Sequence, residues 1–279
     1  MKSNQELGAF VRKASVSKAF LNLSYGILIL FTGLCIFIYF ALIIPVNEGS
    51  VHFSGDISIL YYSIVFIMAL AFLIFILASY MSKGRTFYLY ENGIVIENKV
   101  NKETLFFKDI EDVYFFTSGK RIFDINNIAV RKNSTTEWYP ISARYSGIYS
   151  VIEFIRSRHV SLYVPVLLKK LEEGNSIDFK YVDFKNLAMK QFTAINTNSY
   201  LNVKTNTMQI FKDKLVVDSQ IIYFREVLTF SVTDWTNQIQ LLNTDGKVVF
   251  KKAFTSVFSS DSFVVLLNEL INTKKLRDQ

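Results

Sequence analysis

Hydrophobic and polar positions along the chain fall into two regimes. Residues 25–44 (YGILILFTGLCIFIYFALII) and 57–81 (ISILYYSIVFIMALAFLIFILASYM) are two apolar runs without a charged side chain, separated by a short loop. About 20 apolar residues cross a bilayer core as a helix, and both runs reach that length. Lipid offers no partner to a backbone N–H or C=O, so both are predicted helical despite their many β-branched residues. Tyr25 and Tyr80 fall at one predicted interface, and Tyr39, Tyr61 and Tyr62 at the other.

Beyond Ser82 the pattern shortens to strand-like stretches and repeats itself. FYLYENGIVI at Phe87–Ile96 reads as strand, turn, strand, and so does MQIFKDKLVV at Met208–Val217. Each is followed by a matching stretch, LFFKDIEDV at Leu105–Val113 and IYFREVLTF at Ile222–Phe230. Phe107-Lys108-Asp109-Ile110 then aligns with Phe224-Arg225-Glu226-Val227, an order that predicts a duplication. Asp124–Arg131 and Thr136–Ile141 alternate as half-buried strands do. Gln238–Leu242 and Lys247–Phe254 are joined by Asn243-Thr244-Asp245-Gly246, a hairpin signal.

Each half closes on a predicted helix. Ile148, Val151, Ile152 and Ile155 share one face in the first half; Phe263, Leu266, Leu267, Leu270 and Ile271 do so in the second, behind Ser259, Ser260 and Asp261 as caps. Leu162–Glu173 is predicted to be a separate linking helix, with Pro165 in its first turn and Gly174 as its stop. The pattern is α+β. It divides the chain into an N-terminal segment (1–18), a helical hairpin (19–82), a first module with linker helix (86–174) and a second module (175–279).

Charge orients the hairpin. Of the net charge of +7, residues 1–18 contribute +3, the loop Pro45–Asp56 contributes −2, and the region after the second run contributes +6. The positive-inside rule predicts both termini in the cytoplasm of a two-span inner-membrane protein. The first run is too long for a signal-peptide core and lacks a small-x-small cleavage site. Cys35 is the only cysteine and lies within the first run, which excludes an intrachain disulfide and a cysteine-based metal site.

Nothing in the chain marks out catalysis, and no cofactor is expected. His52 and His159 are the two histidines; no Walker or dinucleotide-binding glycine loop and no Gly-x-Ser-x-Gly elbow occurs. Glu111/Asp112 and Glu172/Glu173 read as solvated faces, and Asn133-Ser134-Thr135 as a chance match to a glycosylation site. Binding is the expected class. Candidates for contact with lipid or a partner are Lys83, Arg85, Lys120, Arg121, Arg131, Lys132, Arg156 and Arg158, in a wider set that includes Lys169, Lys170, Lys251, Lys252, Lys274 and Lys275. Gly26 and Gly33 share a face of the first helix, and Ala71 and Ala78 share one of the second, the expected helix–helix contacts. The basic residues are dispersed over several elements, which argues against nucleic acid.

YLYENGIVI at Tyr88–Ile96, TLFFKDIEDVYFF at Thr104–Phe116, and the strand pair and helix that follow resemble bacterial pleckstrin-homology-like domains. With LEEGNSIDF at Leu171–Phe179 and a degenerate second copy, the order is similar to an uncharacterised family of membrane proteins with two such modules. The resemblance covers about Thr86–Lys275. It implies two bent antiparallel sheets or split barrels, each capped by its C-terminal helix, and no catalytic residues. Three functions stay open: a non-catalytic scaffold binding another membrane protein or itself as a homo-oligomer, an immunity protein against a membrane-acting toxin, and a binder of anionic lipid headgroups.

Overall fold

The structure is a computed structural model, and it describes residues 6–98, 100–116, 125–183, 201, 203–233 and 237–275. The chain divides into two compact units, Ser15–Thr86 and Met1–Ala14 with Phe87–Gln279.

The first of these is a helical hairpin. Helix α1 runs from Ala19 to Asn47 and α2 from Ser58 to Met81, and both are long and apolar enough to span a membrane. Pro45 has no N–H to offer the carbonyl of Ala41, and the helix adjusts by widening to a π turn at Tyr39–Ile43. The helices run antiparallel: Tyr25 packs on Phe75 with ring centres 5.1 Å apart, and the Cys35 thiol approaches the Ile64 carbonyl at 3.8 Å. Ser24, Cys35, Ala71 and Ala78 are buried along this seam, while Ile29, Leu30, Phe66 and Tyr80 are each more than 65% exposed.

The other unit carries one element order twice. Strands β1 (Phe10–Ala14), β2 (Thr86–Tyr90), β3 (Gly93–Glu97) and β4 (Lys102–Phe106) form a four-stranded antiparallel sheet in sequence order. A 3-10 turn at Phe107–Asp109 leads into the meander β5 (Asp112–Phe116), β6 (Asn127–Arg131) and β7 (Tyr139–Ile141), followed by α3 (Ile148–Glu172). The second copy has β8 (Ile177–Tyr181), β9 (Asn206–Ile210), β10 (Lys214–Val217) and β11 (Gln220–Tyr223), then a 3-10 turn at Phe224–Glu226. It ends with β12 (Val227–Thr233), β13 (Gln238–Asn243), β14 (Val248–Ala253) and α4 (Ser260–Lys275). Phe107 and Phe224, matched in the sequence, are both buried at the point where the chain leaves one sheet for the next.

Three features differ from the sequence reading. Residues 10–14, expected to lie outside any module, form β1 and pair with β2 from Phe10↔Tyr90 to Ala14↔Phe87. The segment is too short and too basic to announce a strand, and its partner stands more than 70 residues away. Leu162–Glu173 is not a separate helix; α3 is continuous over 25 residues, with Pro165 inside it. Burial of Ile155, His159, Tyr163, Val164, Leu167 and Leu171 holds the helix together across the proline. The sequence places the turn at Glu91-Asn92-Gly93, whereas the structure turns at Glu91-Asn92 and opens β3 at Gly93, which has no positive φ. It is required by close approach, because a Cβ there would lie 2.5 Å from the Leu105 carbonyl oxygen and 2.9 Å from Leu7.

Candidate functional site

The first cluster of functional side chains is the seam between the two repeats. Asp112 was expected on a solvated face, but it opens β5 and is buried. Arg131 Nε donates to its Oδ2 at 2.6 Å, and Lys180 Nζ donates to Oδ1 and Oδ2 at 3.0 and 2.8 Å. One carboxylate thus ties β6 of the first repeat to β8 of the second. The Arg131 guanidinium also lies 4.2 Å from the Trp138 ring centre. A second tie joins the terminal helices: Arg156 makes a bidentate pair with Asp261, Nε–Oδ2 2.8 Å and Nη2–Oδ1 2.7 Å.

His159, on α3, is buried in the same seam. The Ile110 carbonyl can only accept, so Nε2 carries the proton and donates to it at 2.8 Å. Nδ1 then accepts from the Ser262 hydroxyl at 3.1 Å, and Tyr163 stacks on the ring at 4.8 Å. Burial away from water pushes the imidazole pKa down from 6.5 to about 4, so it is neutral near pH 7. Ser259 does not cap its helix with its side chain. It occupies the left-handed region at φ 52°, and its hydroxyl donates to the Glu111 carbonyl and accepts from the Val113 N–H. Gly147, at φ 65°, holds the matching place before α3. These groups build a joint: every polar atom named points at protein, not at a space for substrate.

An open groove lies elsewhere, between the β2–β3 turn and α3. It measures about 470 Å³ and is lined by Glu6, Asn92, Phe106, Lys108 and Leu162. The Asn92 amide is committed to its floor: Nδ2 donates to the Glu6 carbonyl at 3.0 Å, and the backbone carbonyl accepts from the Phe107 N–H at 2.9 Å. Lys108 stays exposed, its amine 5.8 Å from the Phe106 ring centre. The groove therefore offers apolar surface from Phe106 and Leu162 beside the Asn92 amide, with the Lys108 cation and the Glu6 carboxylate among its lining groups. The Phe-Phe-Lys-Asp step was legible in the sequence as a fold signature; that it also lines a groove required the packing of α3. Among the described residues no group of three or more His, Cys, Asp or Glu is placed to hold a metal.

The predicted contact residues separate. Arg131 and Arg156 are engaged in the seam and are not a free cationic rim. Arg158 lies 4.0 Å from Glu91, and Lys132 is exposed beside the Asn133 turn. Lys83 is exposed and Arg85 half-buried in the stretch after α2. Lys120 and Arg121, together with the start of the expected Asp124–Arg131 strand, lie outside the described residues. In the hairpin, Ala71 and Ala78 are buried, whereas Gly26 and Gly33 are exposed, with nothing within 4 Å of a Cβ at either. Ser24 and Cys35 take the place assigned to the glycines, because the side chains that meet α2 lie on the neighbouring face of α1.

Residues 1–191 match the model of DUF6585, a family of unknown function, and the chain belongs to that family. No curated protein matches it.

Proposed function

We propose that this member of the DUF6585 family is a non-catalytic, membrane-anchored binding protein whose two repeats are pleckstrin-homology-like modules displayed at the cytoplasmic face. The pairing of β1 with β2 carries the reading. β1 precedes the apolar hairpin and β2 follows it, and their residues are hydrogen-bonded neighbours from Phe10↔Tyr90 to Ala14↔Phe87. A hairpin whose two ends must meet in one sheet enters and leaves a membrane on the same side. The basic flanks at Lys13, Lys18, Lys83 and Arg85 favour the cytoplasm for that side. The large exposed apolar side chains of α1 and α2 need a cover that water does not provide, and lipid is the cover their length fits. Seven strands and a terminal helix, twice over, support the pleckstrin-homology-like assignment of the repeats.

The test uses single cysteines in a Cys35→Ala background. Ser54→Cys, in the loop between the helices, is expected to react with an impermeant maleimide in intact cells. Thr244→Cys, in the β13–β14 turn, is expected to react only after permeabilisation. Labelling of Thr244→Cys in intact cells overturns the orientation, and recovery of the protein in the soluble fraction overturns the anchor. Crosslinking in native membranes should trap a second polypeptide on the groove side at Lys108; an uncrosslinked chain under every condition counts against a binding role.

A further inference from the structure

We propose that the outer face of the first sheet, at Phe10, Lys13, Tyr88, Tyr90 and Lys102, is a membrane-contact surface that rests on anionic lipid headgroups; it deepens the anchored reading above and depends on it. In β1 and β2, Ala14, Phe87 and Leu89 are fully buried. Strand alternation sends the cross-strand pairs Lys13↔Tyr88 and Phe10↔Tyr90 to the opposite face. Lys102 joins them from β4, where it pairs with Glu97. The face is aromatic: Phe10 is 55% exposed and Tyr88 and Tyr90 are half-buried, with the Phe10 ring centre 5.6 Å from that of Tyr90 and 6.5 Å from that of Tyr88. It is also cationic: the amines of Lys13 and Lys102 lie 5.5 and 5.7 Å from the Tyr88 ring centre. Glu97 is the acid here, and its carboxylate accepts the Tyr88 hydroxyl at 2.8 Å.

Two observations select lipid as the occupant. Residues 15–18 join β1 to α1, and residues 82–85 join α2 to β2, so each tether reaches about 18 Å at full extension. That length keeps both strands close to the headgroup layer once the helices span. The second sheet supplies the contrast. There the pair matching Lys13↔Tyr88 is Asp178↔Gln209, with Gln209 Nε2 donating to Asp178 Oδ1 at 2.9 Å. At this register the sheet continuous with the apolar helices carries a ring and a lysine and the other sheet an acid–amide pair; the lysine–ring contact of the second sheet lies at its turn, where the Lys214 amine is 5.1 Å from the Phe211 ring centre. Tyrosine rings with lysine beside them suit an interface whose inner edge is apolar and whose surface is anionic.

The experiment places a fluorophore on single cysteines, Lys102→Cys, Gln209→Cys or Leu30→Cys, in the full-length Cys35→Ala protein. The protein is held in nanodiscs of phosphatidylcholine, with or without phosphatidylserine. Nitroxides on the lipid headgroup serve as the quencher for the first two probes, and nitroxides on the acyl chain for the third. The expected result is loss of fluorescence at residue 102, deeper with phosphatidylserine, with residue 209 retaining its signal. Adding Lys13→Glu should remove the phosphatidylserine dependence at residue 102. Retained fluorescence at residue 102, or equal losses at 102 and 209, overturns the proposal when the Leu30→Cys probe is quenched. An unquenched Leu30→Cys probe removes the membrane reading itself.

Discussion

Asp112 shows what one residue does in this molecule. Its side chain is 5% exposed, and it faces the cations of Arg131 and Lys180. Asp112→Asn keeps the shape and removes the charge, leaving two cations without their counter-ion. Breaking a fully buried pair costs about 3–5 kcal/mol. Lys180 retains a 20% exposed side chain, so a loss of about 2 kcal/mol is expected, read from urea denaturation in detergent. His159 supplies a pH signature. Unfolded, it takes up a proton near pH 6.5; folded, only near pH 4, because burial opposes the charge. Between those values the unfolded state binds more protons, so stability falls as pH drops through the window, by up to about 1.4 kcal/mol per pH unit. His159→Gln should flatten that decline when denaturation midpoints at pH 7 and pH 5 are compared.

Among the elements, α3 is the most informative. Pro165 inside a helix removes the bond to the Ser161 carbonyl and crowds it, a penalty of about 3 kcal/mol in an isolated helix. The entropy gained by restraining the unfolded chain with proline is smaller, about 0.4–1 kcal/mol. Pro165→Ala is therefore expected to raise the thermal midpoint, and a lowered midpoint would show that the proline bend itself is needed for packing. The β3 strand gives the opposite case. Gly93→Ala places a methyl group against the Leu105 carbonyl, backbone that cannot swing aside. Overpacking of this kind costs about 1–3 kcal/mol, and circular-dichroism melts should show the loss.

At the scale of the whole molecule, the hairpin is an insertion within a sheet rather than a leader in front of it. In the first repeat, residues 15–85 join strands β1 and β2; in the second, residues 182–205 join β8 and β9. Excising residues 15–85 and closing Ala14 onto Thr86 with a short turn should give a soluble chain that keeps its β content. Deleting residues 1–14 instead strips β1 from the edge of β2, opening the core beside Phe87 and Leu89, and should leave an aggregation-prone chain. Size-exclusion chromatography of the two variants separates these outcomes. A stable monomer after the 1–14 deletion would show that β1 is dispensable.

Local pattern by itself determined the two apolar helices, the α+β character, the duplicated Phe-Lys-Asp-Ile and Phe-Arg-Glu-Val steps and the terminal helices. Length, periodicity and turn residues act over neighbours in the chain, and each of these elements is a local decision. Tertiary structure decided what depends on distant partners. Phe10–Ala14 became a strand only because Phe87–Tyr90 lies alongside, and α3 ran through Pro165 only because its buried face continues. Arg131 and Arg156 left the pool of binding candidates because Asp112 and Asp261 reach them, Asp261 from 105 residues away. Gly26 and Gly33 turned out to face away from the seam because a small residue permits close packing but does not choose its direction. A side chain's type states what chemistry it can offer, and only the fold states which atom receives it.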